Sequence, residues 1–435
     1  YPMDLRPVGY VIGLLVAVLG AAMMLPMLVD LAEGRGHWYV FAESALITLV
    51  IGGVLSLSCA NSVREGLTIQ QTFLLTTGVW LALPVFGALP FWFGATEARY
   101  VDAFFEAMSG LTTTGSTVLS GLEALPKGLL LWRGILQWLG GIGIIVVAMV
   151  FLPELRVGGM QIFRTEAFDT FGKILPRATE IASRISVIYI ALTLICALAY
   201  IGAGMNAFDA TVHAMTTIAT GGFANYDASF AAFGPGAAYV ACLVMILAAL
   251  PFVRFVQLSA GTARPLLHDT QIHVFLATAL AVVTLVALSN ILRADTLTEA
   301  AFRTALFNTV SLMTGTGYAN ADYMQWGGFA VAVLFFTGLL GGCAGSTACS
   351  IKIFRYQLLF ASIRAMTGLD FVTSISGAAT ALANIGPGFG DQIGPAGNFA
   401  GLNDTAKWLL SAAMLIGRLE LMAVYVMFTV GFWRA

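Results

Sequence analysis

One short phrase recurs four times in this chain, each time after a helix-like run rich in Ala, Phe, Met, Ser and Thr. The copies are Thr113-Thr114-Gly115-Ser116, Thr220-Gly221-Gly222-Phe223, Gly315-Thr316-Gly317-Tyr318 and Asn384-Ile385-Gly386-Pro387. The preceding runs begin at Asp102, Asp209, Ala301 and Asp370. A single Thr-x-Gly marks a turn or a helix end and nothing more. Four copies in matching context, inside an apolar chain, predict four re-entrant loops built on one plan. Backbone exposed at membrane depth is tolerated only where it is buried in protein or lines a watery cavity. Glycine there reaches conformations that aim successive carbonyls the same way, and a ring of carbonyls can replace a cation's hydration shell.

Composition places those loops in a bilayer. Of 435 residues, 59% are hydrophobic and only 10% charged, with a mean hydropathy of +0.87. Soluble domains carry about 25% charged residues, so an integral membrane protein is predicted. Apolar spans are read at 8–29, 39–60, 69–93, 129–152, 185–204, 237–260, 271–292, 329–350 and 408–432, to be matched against about 30 Å of hydrocarbon. The first is too long for the core of a cleaved signal peptide. A net charge of −2 gives no footprint for nucleic acid. The five cysteines, Cys59, Cys196, Cys242, Cys343 and Cys349, mostly sit in apolar stretches without metal-ligand spacing and read as small buried hydrophobes.

The order of spans and phrases predicts an N-terminal two-helix hairpin over 1–66, then four pore repeats over 67–160, 161–262, 263–364 and 365–435. Each repeat reads as span, pore loop, span, which puts all four loops on one side of the membrane. The connections without pore loops are basic, with Arg156, Arg164, Lys173, Arg177 and Arg184 in one, Arg254 and Arg264 in the next, and Lys352, Arg355 and Arg364 in the last. They are assigned to the cytoplasm. The opposite side carries acids, among them Asp102, Glu106, Asp209, Asp227, Glu299 and Asp404, and reads as an acidic outer mouth that concentrates cations. The fourth repeat does not fit. Basic Arg364 and outer Asp370 are too close in the chain to lie on opposite faces, at about 3.5 Å per residue. A stretch holding the fourth outer helix is therefore expected to be missing between Arg364 and Gly368.

No carboxylate falls within the four phrases. Neutral oxygens suit a weakly hydrated monovalent ion better than Ca²⁺ or Mg²⁺, which recruit carboxylates. The predicted ion-binding residues are Thr113, Thr114, Gly115, Thr220, Gly221, Gly222, Thr316, Gly317, Asn384, Ile385 and Gly386. With one shared glycine per phrase, the ordered filter is expected to be short. A second unusual segment, 341–352, interrupts the inner helix of the third repeat with Gly341, Gly342, Gly345, Ser346 and Thr347 before Lys352. Small polar residues and glycines break a helix and leave backbone groups unpaired, which predicts a flexible gate below the filter. Close helix packing through small residues is the plainer reading of the same residues. Arg418 stands inside the last apolar span, where an intramembrane Arg faces a cavity or a partner. It is expected to sit beside the pore and hold cations back until the gate moves.

Together the four phrases, the segment 341–352 and Arg418 resemble the Trk/Ktr/HKT superfamily of potassium transporters, and within it the membrane subunits of bacterial Trk systems. The likeness runs over essentially the whole chain. It implies an all-α polytopic fold with a pseudo-fourfold, potassium-channel-like pore behind an N-terminal two-helix hairpin. It places the family's filter glycines on Gly115, Gly222, Gly317 and Gly386, the potassium-type pattern, its intramembrane gate on 341–352 and its inner-helix arginine on Arg418. It further implies K⁺ as the transported ion with Rb⁺ as a substitute, a homodimer, a cytosolic nucleotide-binding regulatory subunit, and a multi-pass place in the bacterial inner membrane. Ala348-Cys349-Ser350 departs from the family, whose members are often glycine-rich there. Coupling to H⁺ or Na⁺ stays open. A cation-coupled secondary transporter should show two inverted repeats, not four in one orientation. An intramembrane enzyme is disfavoured, since His37, His213, His268 and His273 form no triad with any one serine.

Overall fold

The computed structural model describes residues 4–34, 36–60, 68–146, 178–294, 298–339, 343, 346–348 and 369–418. Among them all regular structure is helical. The hairpin comprises α1 (Arg6–Ala22), α2 (Met24–Ala32) and α3 (Trp38–Cys59). Its helices approach closely because Gly13 and Gly52 face each other. A Cβ on Gly13 would stand 2.8 Å from the Gly52 carbonyl oxygen, and one on Gly52 2.6 Å from the Ala17 nitrogen. Small residues at such a crossing let dispersion forces act where lipid offers no hydrophobic drive.

The first repeat follows as α4 (Ile69–Gly87), α5 (Leu89–Phe93), α6 (Tyr100–Leu111) and α7 (Lys127–Val146). The second has α8 (Ala178–Gly202), α9 (Ala207–Ile218), α10 (Pro235–Ala248) and α11 (Phe252–Ser259), and a short α12 (Arg264–Leu267) leads on. The third has α13 (Thr270–Ala294), α14 (Glu299–Met313) and α15 (Gly328–Leu339), and the fourth α16 (Phe371–Ala383) and α17 (Asp404–Arg418). The short helices α6, α9, α14 and α16 carry the four sequence phrases at their C-termini. Three of them begin on a side-chain cap: Asn206 accepts from the Asp209 amide, Thr298 from Ala301 and Asp370 from Thr373. Such caps satisfy amides that a helix start leaves unpaired.

Packing around the short helices is cyclic. The inner helix α7 lies on α9, α10 on α14, α15 on α16, and α17 back on α6. Each inner helix thus supports the pore helix of the next repeat, and the fourth returns to the first. Among the described residues five helices are long and apolar enough to cross a membrane, covering Arg6–Ala32, Trp38–Cys59, Gln70–Phe93, Ala182–Gly202 and Phe275–Arg293. Leu194, Leu198, Leu280 and Leu288 stand exposed on α8 and α13, a surface that suits lipid tails. The span expected at 237–260 is not one helix. It breaks between α10 and α11, which meet at 88°, because Pro251 has no amide to continue the ladder and prefers the start of a new helix. The expected discontinuity between Arg364 and Gly368 lies outside the described residues.

Candidate functional site

All four pore helices end in the same turn. Thr113, Thr220, Gly315 and Asn384 occupy matching positions and all adopt left-handed backbone, with φ of 53°, 49°, 74° and 54°. Their amides bond back to Gly110, Thr217, Leu312 and Ala381 at 2.9, 3.0, 3.1 and 3.2 Å. The next amides, of Thr114, Gly221 and Ile385, reach Ser109, Thr216 and Thr380 at 2.8, 2.8 and 2.9 Å. In the third repeat this second bond comes one residue later, from Gly317 to Ser311 at 3.2 Å. This pair of bonds is the Schellman closure of a helix, which favours glycine at the left-handed site. Thr there costs about 1–2 kcal/mol, so the fold holds Thr113 and Thr220 against their preference, whereas Asn tolerates the site. Two residues later Gly115, Gly222 and Gly317 again have positive φ, at 82°, 77° and 83°.

The four loops touch in chain order and close on themselves. A Cβ on Gly115 would overlap the Gly221 carbonyl oxygen, and one on Gly222 the Thr316 carbonyl oxygen. One on Gly317 would stand 2.8 Å from the Gly386 nitrogen, and one on Gly386 3.1 Å from the Gly115 carbonyl oxygen. At Gly115, Gly222 and Gly317 glycine is therefore required by space as well as by torsion, at Gly386 by a tight contact alone, and the loops meet backbone to backbone. Two bonds between the first and fourth loops tie its ends. Ser116 Oγ donates to the Gly386 carbonyl at 2.7 Å, and Asn384 Nδ2 to Thr114 Oγ1 at 2.9 Å. Thr113, Thr114, Thr220, Thr316 and Asn384 are fully buried and Ile385 nearly so. A cavity of about 150 Å³, lined by Gly115, Gly222, Gly317, Gly386 and Asp227 among others, opens directly onto the ring.

A second layer, which the sequence reading missed, stands behind the loops. Glu106, His213 and Asn308 share one offset ahead of their glycines, and each accepts the backbone amide that follows the ring. Glu106 takes Val118 at 3.0 Å, His213 Nε2 takes Asn225 at 3.4 Å and Asn308 takes Asn320 at 3.3 Å. In the fourth repeat Ser376, one position earlier, takes Phe389 at 3.0 Å. His213 Nδ1 lies 2.8 Å from the Asp209 carbonyl, an acceptor only, so the ring is held as the Nδ1–H tautomer. Glu106 is also paired with Arg133 at 2.8 Å, their side chains 0% and 2% exposed. Arg133 donates to the Ala224 carbonyl at 2.6 Å and lies 4.1 Å above the Phe223 ring. From α7, Gln137 donates to the Gly221 carbonyl at 2.6 Å and accepts the Phe223 amide at 3.0 Å. The Tyr318 hydroxyl joins Thr216 and Thr217 of the neighbouring pore helix.

These partners correct the acidic-mouth reading. Glu106 and Asp209 are buried braces, not solvated mouth charges. Asp209 accepts Asn225 at 2.7 Å and the Tyr226 hydroxyl at 2.8 Å. That bond, reinforced by partial burial, pushes the Tyr226 phenol up to about 12, which keeps it a donor. Asp102 is paired with Lys407 and Arg99, and Asp404 with Arg99. Asp227 does line the cavity, where it accepts the Gly121 and Leu122 amides at 2.7 and 3.1 Å. Cys196, Cys242 and Cys343 are buried as expected, whereas Cys59 is half-buried.

Of the expected gate, Ser346 and Thr347 are described and buried, and they sit with Cys343 against the break between α10 and α11. Gly341, Gly342, Gly345 and Lys352 lie outside the described residues. Arg418 is the last described residue of α17, and its side chain lies outside the description.

Residues 37–370 match the model of the TrkH family, described as cation transport proteins. The chain is 40% identical to the Trk system potassium uptake protein TrkI of Halomonas elongata, covering 98% of this chain and 97% of that one. It is 34% identical to the Trk system potassium uptake protein TrkH of Escherichia coli, covering 99% and 100%. Those alignments run over 478 and 490 positions against 435 residues here, so the relatives carry residues without a counterpart in this chain. The crystal structure of the potassium transporter TrkH from Vibrio parahaemolyticus superposes with a TM-score of 0.85 at 30% identity, over 99% of this chain and 100% of that one.

Proposed function

This chain belongs to the TrkH family of cation transport proteins, and we propose that it takes up potassium by stripping the ion of water in the ring of four glycine loops. It is a multi-pass protein of the bacterial inner membrane and a transporter rather than an enzyme. One observation carries the proposal: four loops with the same left-handed turn meet backbone to backbone in a closed circle. Backbone carbonyls at Thr113, Thr114, Gly115, Thr220, Gly221, Gly222, Thr316, Gly317, Asn384, Ile385 and Gly386 supply neutral oxygens. Neutral oxygens replace the loosely held shell of K⁺ more readily than that of a divalent ion. Rb⁺, of similar size and charge, follows the same path. Four repeats in one orientation favour this channel-like route over alternating access by two inverted halves.

Below the ring, the segment 341–352 forms the gate and Arg418 repels cations from the closed pathway. Two copies assemble in the membrane, and a cytosolic nucleotide-binding subunit engages the basic inner connections and sets the gate. The residues that relatives carry and this chain lacks are assigned to a fourth outer helix between Arg364 and Gly368.

The test is uptake of radioactive rubidium into potassium-loaded proteoliposomes, with K⁺ and Na⁺ as competitors. Strong block by K⁺ and weak block by Na⁺ is the expected result. Equal block by both ions would refute potassium selection by the ring. Arg418→Ala is expected to raise basal rubidium leak several-fold, and unchanged leak would leave Arg418 a structural residue.

A further inference from the structure

The break between α10 and α11 leaves carbonyls that a continuous helix would satisfy itself. In a continuous helix the Ala248 and Ala249 carbonyls would take the amides of Phe252 and Val253, but the chain turns by 88° at Pro251. Helix ends buried without partners are unstable, and here the partners come from another repeat. Thr347 Oγ1 donates to the Ala248 carbonyl at 3.0 Å. The Cys343 amide donates to the Ala249 carbonyl at 3.2 Å. Ser346 folds the donor segment on itself, giving its hydroxyl to the Cys343 carbonyl at 2.6 Å and accepting the Ala348 amide at 3.2 Å. Thr347 is fully buried, and Cys343 packs with Ala249, Leu250 and Phe275.

We infer that Thr347 and the Cys343 amide form a latch holding their part of the third repeat's gate segment onto the broken inner helix of the second. The inference rests on the reading of 341–352 as the gate. Its physical basis is competition. The two carbonyls are served either by the gate segment, with the helix bent, or by the helix's own amides, with the helix straighter and the gate segment released. Thr347 is a positioning residue in this scheme and contacts no ion. The bend at Pro251 is then part of gating, and movement of α11 has a direct route to the gate.

Rubidium flux into proteoliposomes of the full chain tests the latch. Thr347→Val keeps the shape and removes the donor. It is expected to raise basal influx about fivefold, the factor equivalent to one buried hydrogen bond, and Thr347→Ser is expected to restore low influx. A shortened segment 341–352 serves as the control for the gate itself. If the shortened form leaks and Thr347→Val does not, the latch is wrong while the gate stands. If neither leaks, the gate reading fails and the latch with it. If Thr347→Ser leaks as much as Thr347→Val, packing rather than the hydrogen bond is at work, and the latch is again wrong. Should Thr347→Val not be monodisperse in detergent, Pro251→Ala replaces it. That change returns an amide to the break and favours the straighter helix, so a folded Pro251→Ala with wild-type influx would also overturn the latch.

Discussion

The inner wall of the ring and the layer behind it solve their problems in opposite ways. The wall repeats one backbone geometry four times: a left-handed residue closes each pore helix, and a glycine follows, with a positive φ and no room for a Cβ at Gly115, Gly222 and Gly317 and a tight contact at Gly386. The layer behind repeats one task with four different side chains. Glu106, His213, Asn308 and Ser376 each accept the amide that leaves the ring, yet they are a carboxylate, an imidazole, an amide and a hydroxyl. A task set by torsion and contact distance has one residue that meets it. A task set by a single acceptor atom has many, so the repeats are free to differ there.

The wall makes the strongest test. Gly222→Ala places a Cβ on the Thr316 carbonyl oxygen at a φ of +77°. Left-handed backbone alone costs an L-residue about 1–2 kcal/mol, so discrimination of K⁺ over Na⁺ in rubidium competition is expected to fall about tenfold or more. Gly386→Ala meets its nearest atoms at 3.1 Å, without a positive φ, and the fall there is expected to be about threefold at most. Equal losses at the two positions would mean that the ring is not as asymmetric as its contacts.

The layer behind is expected to respond in stability before selectivity. Glu106→Gln leaves the Arg133 charge buried without its counter-charge, and breaking such a pair costs about 3–5 kcal/mol. Thermal unfolding in detergent would read this as a clear drop, and the double change Glu106→Gln with Arg133→Met should recover most of it. A double variant no better than the single one would assign the loss to Glu106's bonds with Thr117 and Val118. Ser376→Ala removes one neutral acceptor and is expected to cost about 1 kcal/mol. If it cost as much as Glu106→Gln, the braces would not differ in strength as their chemistry says.

The same contrast explains what could be read from sequence. The loop phrases were legible because glycine is demanded by local torsion, and local demands leave local patterns. Five of the expected spans were legible from hydropathy, those at 129–152, 329–350 and 408–432 run beyond the described residues, and at 237–260 an uninterrupted apolar run hid a bend that depends on Pro251 and on donors from Cys343 and Thr347. Glu106 and Asp209 were read as mouth charges because their partners are remote in the chain. Arg133 lies on the next helix, and Asn225 and Tyr226 follow the second loop. One cue was present: Arg133 sits inside an apolar span and must have a counter-charge.

The bonds from Ser116 to Gly386 and from Asn384 to Thr114 also bear on how such a molecule is made. Synthesis runs from the N-terminus, and a multi-domain chain folds in that order. While residues beyond the third loop are still on the ribosome, Gly115 and Gly317 each lack one neighbour and the circle stands three-quarters built. Only when the loop at 384–386 arrives can the first loop and the last join. A chain that stops short of that loop therefore has an open ring, so on the proposed reading no finished passage exists until the fourth repeat has been made.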